Sequence, residues 1–343
     1  MSMINASVVI PNWNGKKYIG KCLDSLINQS LKPHIIVVEN GSIDGSLDYI
    51  KKNYPKVELV VNAKNLGFAG GVNSGIKRSI ERGDRFVALF NNDAIADKNW
   101  FKGLYNEISN NSKVGIATTK LLTADGKYID STGDMFTVWG LPYPRGRNEE
   151  TSDKYDQLKD VFAGSGGASI YRVEMLNEIG LFDEDFFAYY EDVDISFRAQ
   201  LAGWKVRYVP SAIAYHEIGK TSQKIKGFTT YHSLKNVYWL TFKNVPRKYL
   251  FKVLIRLKIA MFMFYTKAVL RGHIWFATKS VMTIIIKMPK KRWERHCIQK
   301  NRKVSDEYIW SMIVHDLPPN SKALRSLRSS YWKLTRRKYV NSD

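Results

Sequence analysis

Cysteine is nearly absent: Cys22 and Cys297 are the two in 343 residues, and they lie far apart along the chain. That excludes a disulfide framework and a zinc site built on cysteines, and it fits a reducing compartment. Long apolar runs are missing too. The longest, such as 259–265 and 280–286, fall well short of the roughly 18–20 residues that span a bilayer, so no transmembrane helix is predicted. The N-terminus, MSMINASVVIPNWNG, has no basic start followed by a long apolar stretch. It reads as a short lead into a buried strand rather than a signal peptide. Acidic residues are scarce in one region only. From Glu217 to the end there are 28 basic and 6 acidic residues, against 25 basic and 26 acidic before it. A near-neutral globular part is therefore followed by a strongly basic one, which points to an anionic membrane surface or to nucleic acid.

What is present begins with alternation. Residues 7–10, 35–39, 57–62 and 85–90 read as strands, and 18–29, 44–53 and 71–82 carry helical spacing. Strands alternating with helices predict βαβ units, and so an α/β fold with a mostly parallel sheet. Ligands of such sheets bind beyond the carboxyl ends of the strands. The polar, Gly-rich segments PNWNG, ENGSIDGS and NNDA fall there. Segment 123–160 is irregular and reads either as a loop over the site or as a surface insertion. Beyond it, Gly164, Gly166 and Gly167 permit close approach of a ligand, or a tight turn.

Four segments carry chemistry, each with a plainer alternative. Glu39, at a strand end, can accept from the imide N–H of uracil or thymine. Otherwise 39–46 is a turn in which Asp44 caps the next helix. The run NLGFAGGVNSG (65–75) opens a helix and suits a nucleotide or its phosphates. It matches neither G-x-x-x-x-G-K-[ST] nor G-x-G-x-x-G, and helix packing through glycine is its other reading. Asn91-Asn92-Asp93 ends a strand, where oxygens hold a hard divalent cation or form an Asx turn. Glu191, Asp192 and Asp194 cluster among aromatic residues, with a lone His216 later. This is an acid/base and metal constellation or a solvated acidic helix start.

In this order and spacing, SVVIPNWNG, VVENGSIDGS, NLGFAGGVNSGI, LFNNDA, GSGGASIYR, GLFDEDFFAYYEDVDISFRAQLAGW and His216 resemble a known family. It is the inverting family-2 glycosyltransferases of the glycosyltransferase-A (GT-A) fold. The nearer likeness is to the rhamnosyltransferase-like branch of bacterial cell-surface polysaccharide synthesis. The resemblance spans residues 6–220. It implies a Rossmann-like, mostly parallel sheet flanked by helices. A nucleotide-sugar half would cover about 1–122, an acceptor half about 123–224, and a basic helical region 225–343.

The resemblance also implies residue roles. Glu39 and Asn40 would contact the base and ribose. Asn73 and the backbone of Gly70 and Gly71 would line the nucleotide pocket. Pro11, Asn12, Asn14, Ser42, Asp44, Gly67, Asn91 and Asn92 would complete the nucleotide-sugar site. Asp93 and His216 would be the metal ligands, for Mg2+ or Mn2+. Asp192 would be the general base, with Glu191 and Asp194 positioning it or binding acceptor hydroxyls. Gly166, Gly167 and Trp204 would face the acceptor. Two positions depart from the family pattern: Glu39 replaces the common aspartate, and the D-x-D motif is Asn91-Asn92-Asp93. The second departure leaves one protein carboxylate on the metal, so the donor diphosphate would contribute heavily. A GT-A-fold binding protein without turnover is the alternative that motif leaves open.

Segments 231–244 and 249–270 carry apolar residues at helical spacing between Lys and Arg. Helices of that kind lie in a membrane interface, where anionic lipid adds about 1 kcal/mol per nearby basic residue; otherwise they serve nucleic acid or are core helices with solvated faces. Nucleic acid is the weaker partner, because the charge sits in the tail and the Gly-rich motifs in the neutral half. The expectation is a cytoplasmic enzyme, peripheral at the inner face of the plasma membrane. It would use a dTDP- or UDP-sugar and a glycan or polyprenyl-linked glycan acceptor. Processive members of the family carry transmembrane helices and Q-x-x-R-W. Here Arg292-Trp293 follows Pro289-Lys290-Lys291, so one sugar, or a few, per acceptor is expected.

Overall fold

Val8 and Ile10 face one side of the first strand and Val9 the other, and all three are buried. A strand apolar on both faces needs helices on both faces. The computed structural model, which describes residues 4–216, 225–319, 321 and 324–326, has that layered form. The chain runs β1 (Ala6–Asn12), α1 (Lys16–Ile27), β2 (His34–Asn40), α2 (Ser46–Asn53), β3 (Glu58–Asn62), α3 (Gly67–Glu81) and β4 (Phe86–Phe90). These are the elements the alternation predicts, with ends moved by a few residues. Next come β5 (Ala94–Ala96), α4 (Trp100–Asn110) and β6 (Val114–Thr123). The segment read as irregular holds short strands β7 (Ile129–Ser131), β8 (Asp134–Phe136), β9 (Pro142–Pro144) and β10 (Lys159–Asp160). Then follow β11 (Ala168–Arg172), α5 (Val173–Ile179), α6 (Glu191–Leu201) and β12 (Lys205–His216).

The sheet order is β10-β12-β6-β11-β4-β1-β2-β3, with β5 paired to β12 and β7 to β6. The β4-β1-β2-β3 block is parallel, as is β6 with β12, while β11 runs antiparallel between β4 and β6. Helices α1, α2 and α4 pack on one face, and α3, α5 and α6 on the other. Gly75 shows why the 65–75 run is small. A Cβ there would lie 2.3 Å from the Val9 side chain, so α3 could not sit this close to β1.

The basic region forms α7 (Phe228–Asn244), α8 (Arg247–Leu270), α9 (Ile274–Lys300) and α10 (Asp306–Met312). The junction expected at 224 lies in 217–224, outside the described residues, as does everything after 326. Segment 231–244 is helical as predicted, but its setting differs from the membrane interface expected for it. Leu234, Val237, Trp239 and Leu240 are buried, and so are Lys235 and Lys243. Lys235 donates to the Asp185 and Phe186 carbonyls, and Lys243 is buried by charge pairing. Lys243 reaches Asp183 at 2.5 Å and Asp194 at 3.2 Å, and Lys291 reaches Asp183 at 2.7 Å. Part of the basic excess is thus neutralised inside the molecule. Helices α8 and α9 keep exposed apolar side chains, among them Phe251, Phe262, Ile285 and Trp293. Among the described residues no helix is long and apolar enough to cross a membrane.

Candidate active site

The strands β1, β2 and β4 end in Asn12, Asn40 and Phe90, and the chain beyond them borders a cavity of about 740 Å3. On the strand side it is lined by Pro11, Asn12, Trp13, Asn40, Gly67 and the Asn91-Asn92-Asp93 run. Amide pairs fix this wall: Asn92 donates to Asn12 at 2.8 Å, and Asn40 to the Gly67 carbonyl at 3.0 Å. Behind it, Glu39 accepts from the Asn12 side chain at 2.7 Å and from the Ser42 N–H at 3.0 Å. Asn14 and Ser42 link the two loops, and Asp44 accepts from the Lys16 and Ser46 N–H groups.

Across the cavity stands Asp192, at the start of α6. Its carboxylate accepts from the Gly166 N–H at 2.9 Å and from the Val193 N–H at 2.8 Å. Burial raises its pKa against these two bonds. Burial raises Glu191 further, helped by the charge of Asp192 beside it, and Glu191 Oε2 is buried without a hydrogen-bond partner. Asp134, from β8, lines the same cavity and is raised by burial and by Asp192.

At the floor His216 sits between two aspartates. Its Nδ1 is 2.8 Å from Asp130 and its Nε2 3.2 Å from Asp93. Burial opposes its charged form, but the two carboxylates outweigh this and hold its pKa at about 9. Arg147 donates to Asp130 at 2.5 Å. With Nδ1 tied to a buried carboxylate, Nε2 and the Asp93 oxygen converge on the cavity. That is a donor set suited to a divalent cation. A second carboxylate group, Asp183, Asp185 and Glu294, is close enough to share a cation, but Lys243, Lys287, Lys290 and Lys291 already neutralise it.

The family model for glycosyl transferase family 2 matches residues 7–180, just over half of the chain. The chain belongs to this family. It is similar to the N-acetylglucosaminyl-diphospho-decaprenol L-rhamnosyltransferase of Mycobacterium tuberculosis, 28% identical over 230 residues, covering 61% of this chain and 75% of the relative. It is also similar to the dTDP-rhamnosyl transferase RfbF of Shigella flexneri, 24% identical over 252 residues, covering 70% and 81%. Among solved structures, residues 1–349 of S. aureus TarS in complex with UDP align with a TM-score of 0.53 at 16% identity, covering 92% of this chain and 95% of that one. The fold is GT-A, and the glycosyltransferase is of the inverting type.

Against this frame, several side chains implicated by resemblance lie elsewhere in the glycosyltransferase. Asp194 is 0% exposed, paired with Arg198 and Lys243 and bonded by Asn244, so it anchors α6 to α7 and does not face an acceptor. Asn73 spends its amide on Phe182 and Glu184, bracing α3 against the loop before α6. Trp204, just after α6, donates to Glu178 of α5 and does not line the cavity. Gly70 and Gly71 are buried in α3, with Gly71 under the Asn40 side chain. Asn14, Glu39, Ser42 and Asp44 stand behind the cavity wall, shaping its loops. The reading of 39–46 as a turn matches those bonds, but the N-cap of α2 is Gly45, and Asp44 one residue earlier accepts from the Ser46 N–H.

Sequence reasoning missed Asp130, Asp134 and Arg147, which the 123–160 segment carries into the glycosyltransferase's cavity. The cluster Asp-Ser-Thr-Gly-Asp at 130–134 was the available signal. It also missed the wall 187–190. Phe187, Tyr189 and Tyr190 there have φ of 66°, 72° and 68°, a left-handed backbone that aromatic residues rarely adopt.

Proposed function

We propose that this glycosyltransferase moves a hexose, rhamnose in particular, from a dTDP- or UDP-sugar to a hydroxyl of a polyprenyl-linked glycan at the inner face of the plasma membrane. The observation that carries the reading is the placement of Asp192 across one cavity from Asp93 and His216. Asp192 takes the proton of the acceptor hydroxyl. That oxygen bonds the anomeric carbon as the bond to the donor phosphate breaks, and the nucleoside diphosphate leaves with the electron pair. Attack opposite the leaving group inverts the anomeric centre. Raised by burial, Asp192 is a stronger base than an exposed aspartate. Glu191, also raised, offers a hydrogen bond to the acceptor.

Asp93 and His216 would hold Mg2+ or Mn2+, which supplies charge neutralisation for the departing diphosphate. Pro11, Asn12, Asn40 and Gly67 give the nucleotide a wall, and Gly166 and Gly167 border the acceptor side. Names of the relatives support a rhamnosyl donor and a lipid-linked acceptor. Exposed apolar and basic residues on α8 and α9 support a membrane surface. A panel of nucleotide-sugars, assayed for transfer and for donor hydrolysis with and without Mn2+, tests the reading. Turnover of dTDP-rhamnose with metal is expected, and inactivity toward every donor would refute it.

A further inference from the structure

Helices α7, α8 and α9 enclose a second cavity, of about 440 Å3, which the chemistry above does not use. Its walls include Leu234, Met261, Phe262, Ile284, Ile285 and Met288, and the exposed Lys258 is its one charged lining residue. Phe262 is 69% and Ile285 66% exposed, so apolar surface faces solvent at the mouth. The groove adjoins the active site along α7. Ser233 lines the catalytic cavity and Leu234, the next residue, lines the groove. Tyr190 of the catalytic wall packs on the same apolar cluster as the groove residues Tyr238 and Met261.

The surface around the mouth selects the occupant. Helix α8 carries six basic and no acidic residues, with Lys258 exposed at the mouth itself, whereas Lys287, Lys290 and Lys291 of α9 are neutralised by Asp183, Asp185 and Glu294. A second copy of the chain would bring the same positive charge to this face and be repelled. A ligand with a long apolar body and an anionic head suits it. We infer that the groove holds the hydrocarbon chain of a polyprenyl-phosphate-linked acceptor, with the glycan passing over Tyr190 and Ser233 toward Asp192. The inference rests on the lipid-linked acceptor proposed above and adds where its chain lies. Each methylene taken from water strengthens binding by roughly fourfold, so a partly enclosed chain dominates acceptor affinity.

Full-length protein in neutral phosphatidylcholine vesicles is photolabelled with a diazirine-bearing polyprenyl phosphate and the adducts are mapped. In parallel, transfer is measured to one glycan carried on a polyprenyl diphosphate and on a short water-soluble aglycone. Labelling is expected at groove residues such as Met261 and Met288. Phe262→Glu and Ile285→Glu, at exposed positions that tolerate charge, should remove it. They should raise KM for the polyprenyl acceptor at least about tenfold and leave kcat/KM for the short acceptor within about twofold. Labels spread over the outer face at Ile286 and Trp293, or equal effects on both acceptors, would overturn the groove and leave only a membrane-facing surface. Groove labelling without turnover of any donor would instead sink the transferase reading, so the two failures are distinguishable.

Discussion

The side-chain amide of Asn236, on α7, donates to the Tyr189 carbonyl at 2.8 Å and holds Tyr189 at a φ of 72°. The same amide reaches the carbonyls of Ala188 and Phe186, and Lys235 supports the Asp185 and Phe186 carbonyls. Left-handed non-glycine residues cost about 1–3 kcal/mol each and persist only when their surroundings enforce them. The wall before Asp192 is therefore shaped by a helix of the basic region.

Asn236→Ala should let residues 187–190 relax. Transfer is expected to fall about tenfold or more, with stability reduced by about 1–3 kcal/mol. Nucleoside diphosphate affinity should hold, since Asn236 does not line the cavity. Kinetics and calorimetry on the folded variant check this. A variant with lost stability and normal kcat would make Asn236 a purely structural residue.

Asp192→Asn should reduce transfer by about 10²–10⁴-fold. Donor binding should survive, because the Asp192 carboxylate bonds the Gly166 and Val193 N–H groups and not the strand-side wall. Rates within a few-fold of the unmodified protein would remove Asp192 from the base role.

Asp194→Ala gives the contrasting outcome. Removing a fully buried carboxylate leaves Arg198 without its carboxylate partner and Lys243 with Asp183 and Glu294 alone, so about 3–5 kcal/mol of stability should be lost. Denaturant unfolding of the two aspartate variants side by side separates the roles, and a fully stable Asp194→Ala would contradict the ion-pair account.

Metal-dependent binding of UDP or dTDP should weaken in Asp93→Ala and His216→Ala. Asp130→Asn should weaken it about 10–100-fold, through the orientation it gives His216. Titration calorimetry with and without Mn2+ reads this directly. Unchanged metal dependence in His216→Ala would leave the histidine a structural role alone.

The pH profile carries its own sign. Asp192 accepts a proton only when ionised, and burial raises its pKa, so the rate should climb with pH through a limb above the ordinary carboxylate value of about 4. The charge of Asp192 raises Asp134, and repulsion between like charges is reciprocal, so Asp134→Asn should move that limb toward lower pH. An unmoved limb would separate Asp134 from the base.

Much of the parallel block was legible in the sequence, because β1 to β4 and α1 to α3 announce themselves by local period and by apolar runs buried on both faces. Asp93, Asp192 and His216 were legible too, as a carboxylate at a strand end, a charged helix start and a lone histidine after it. Only the tertiary structure decided which acidic residues face solvent chemistry and which face lysine. Asp192 and Asp194 are two apart on one helix, and the 200° between them points one at the cavity and the other at Lys243. Asp130 could not be placed either, since its contact with His216 spans 86 residues and depends on β7 pairing with β6. Within the basic region, the membrane-interface reading of 231–244 failed for the same reason, while the reading of that segment as a core helix fits. Composition counts the lysines of α7 and α9 as a charged surface, whereas the fold places Asp183, Asp185 and Asp194 against them and so turns α7 into the support of the active-site wall.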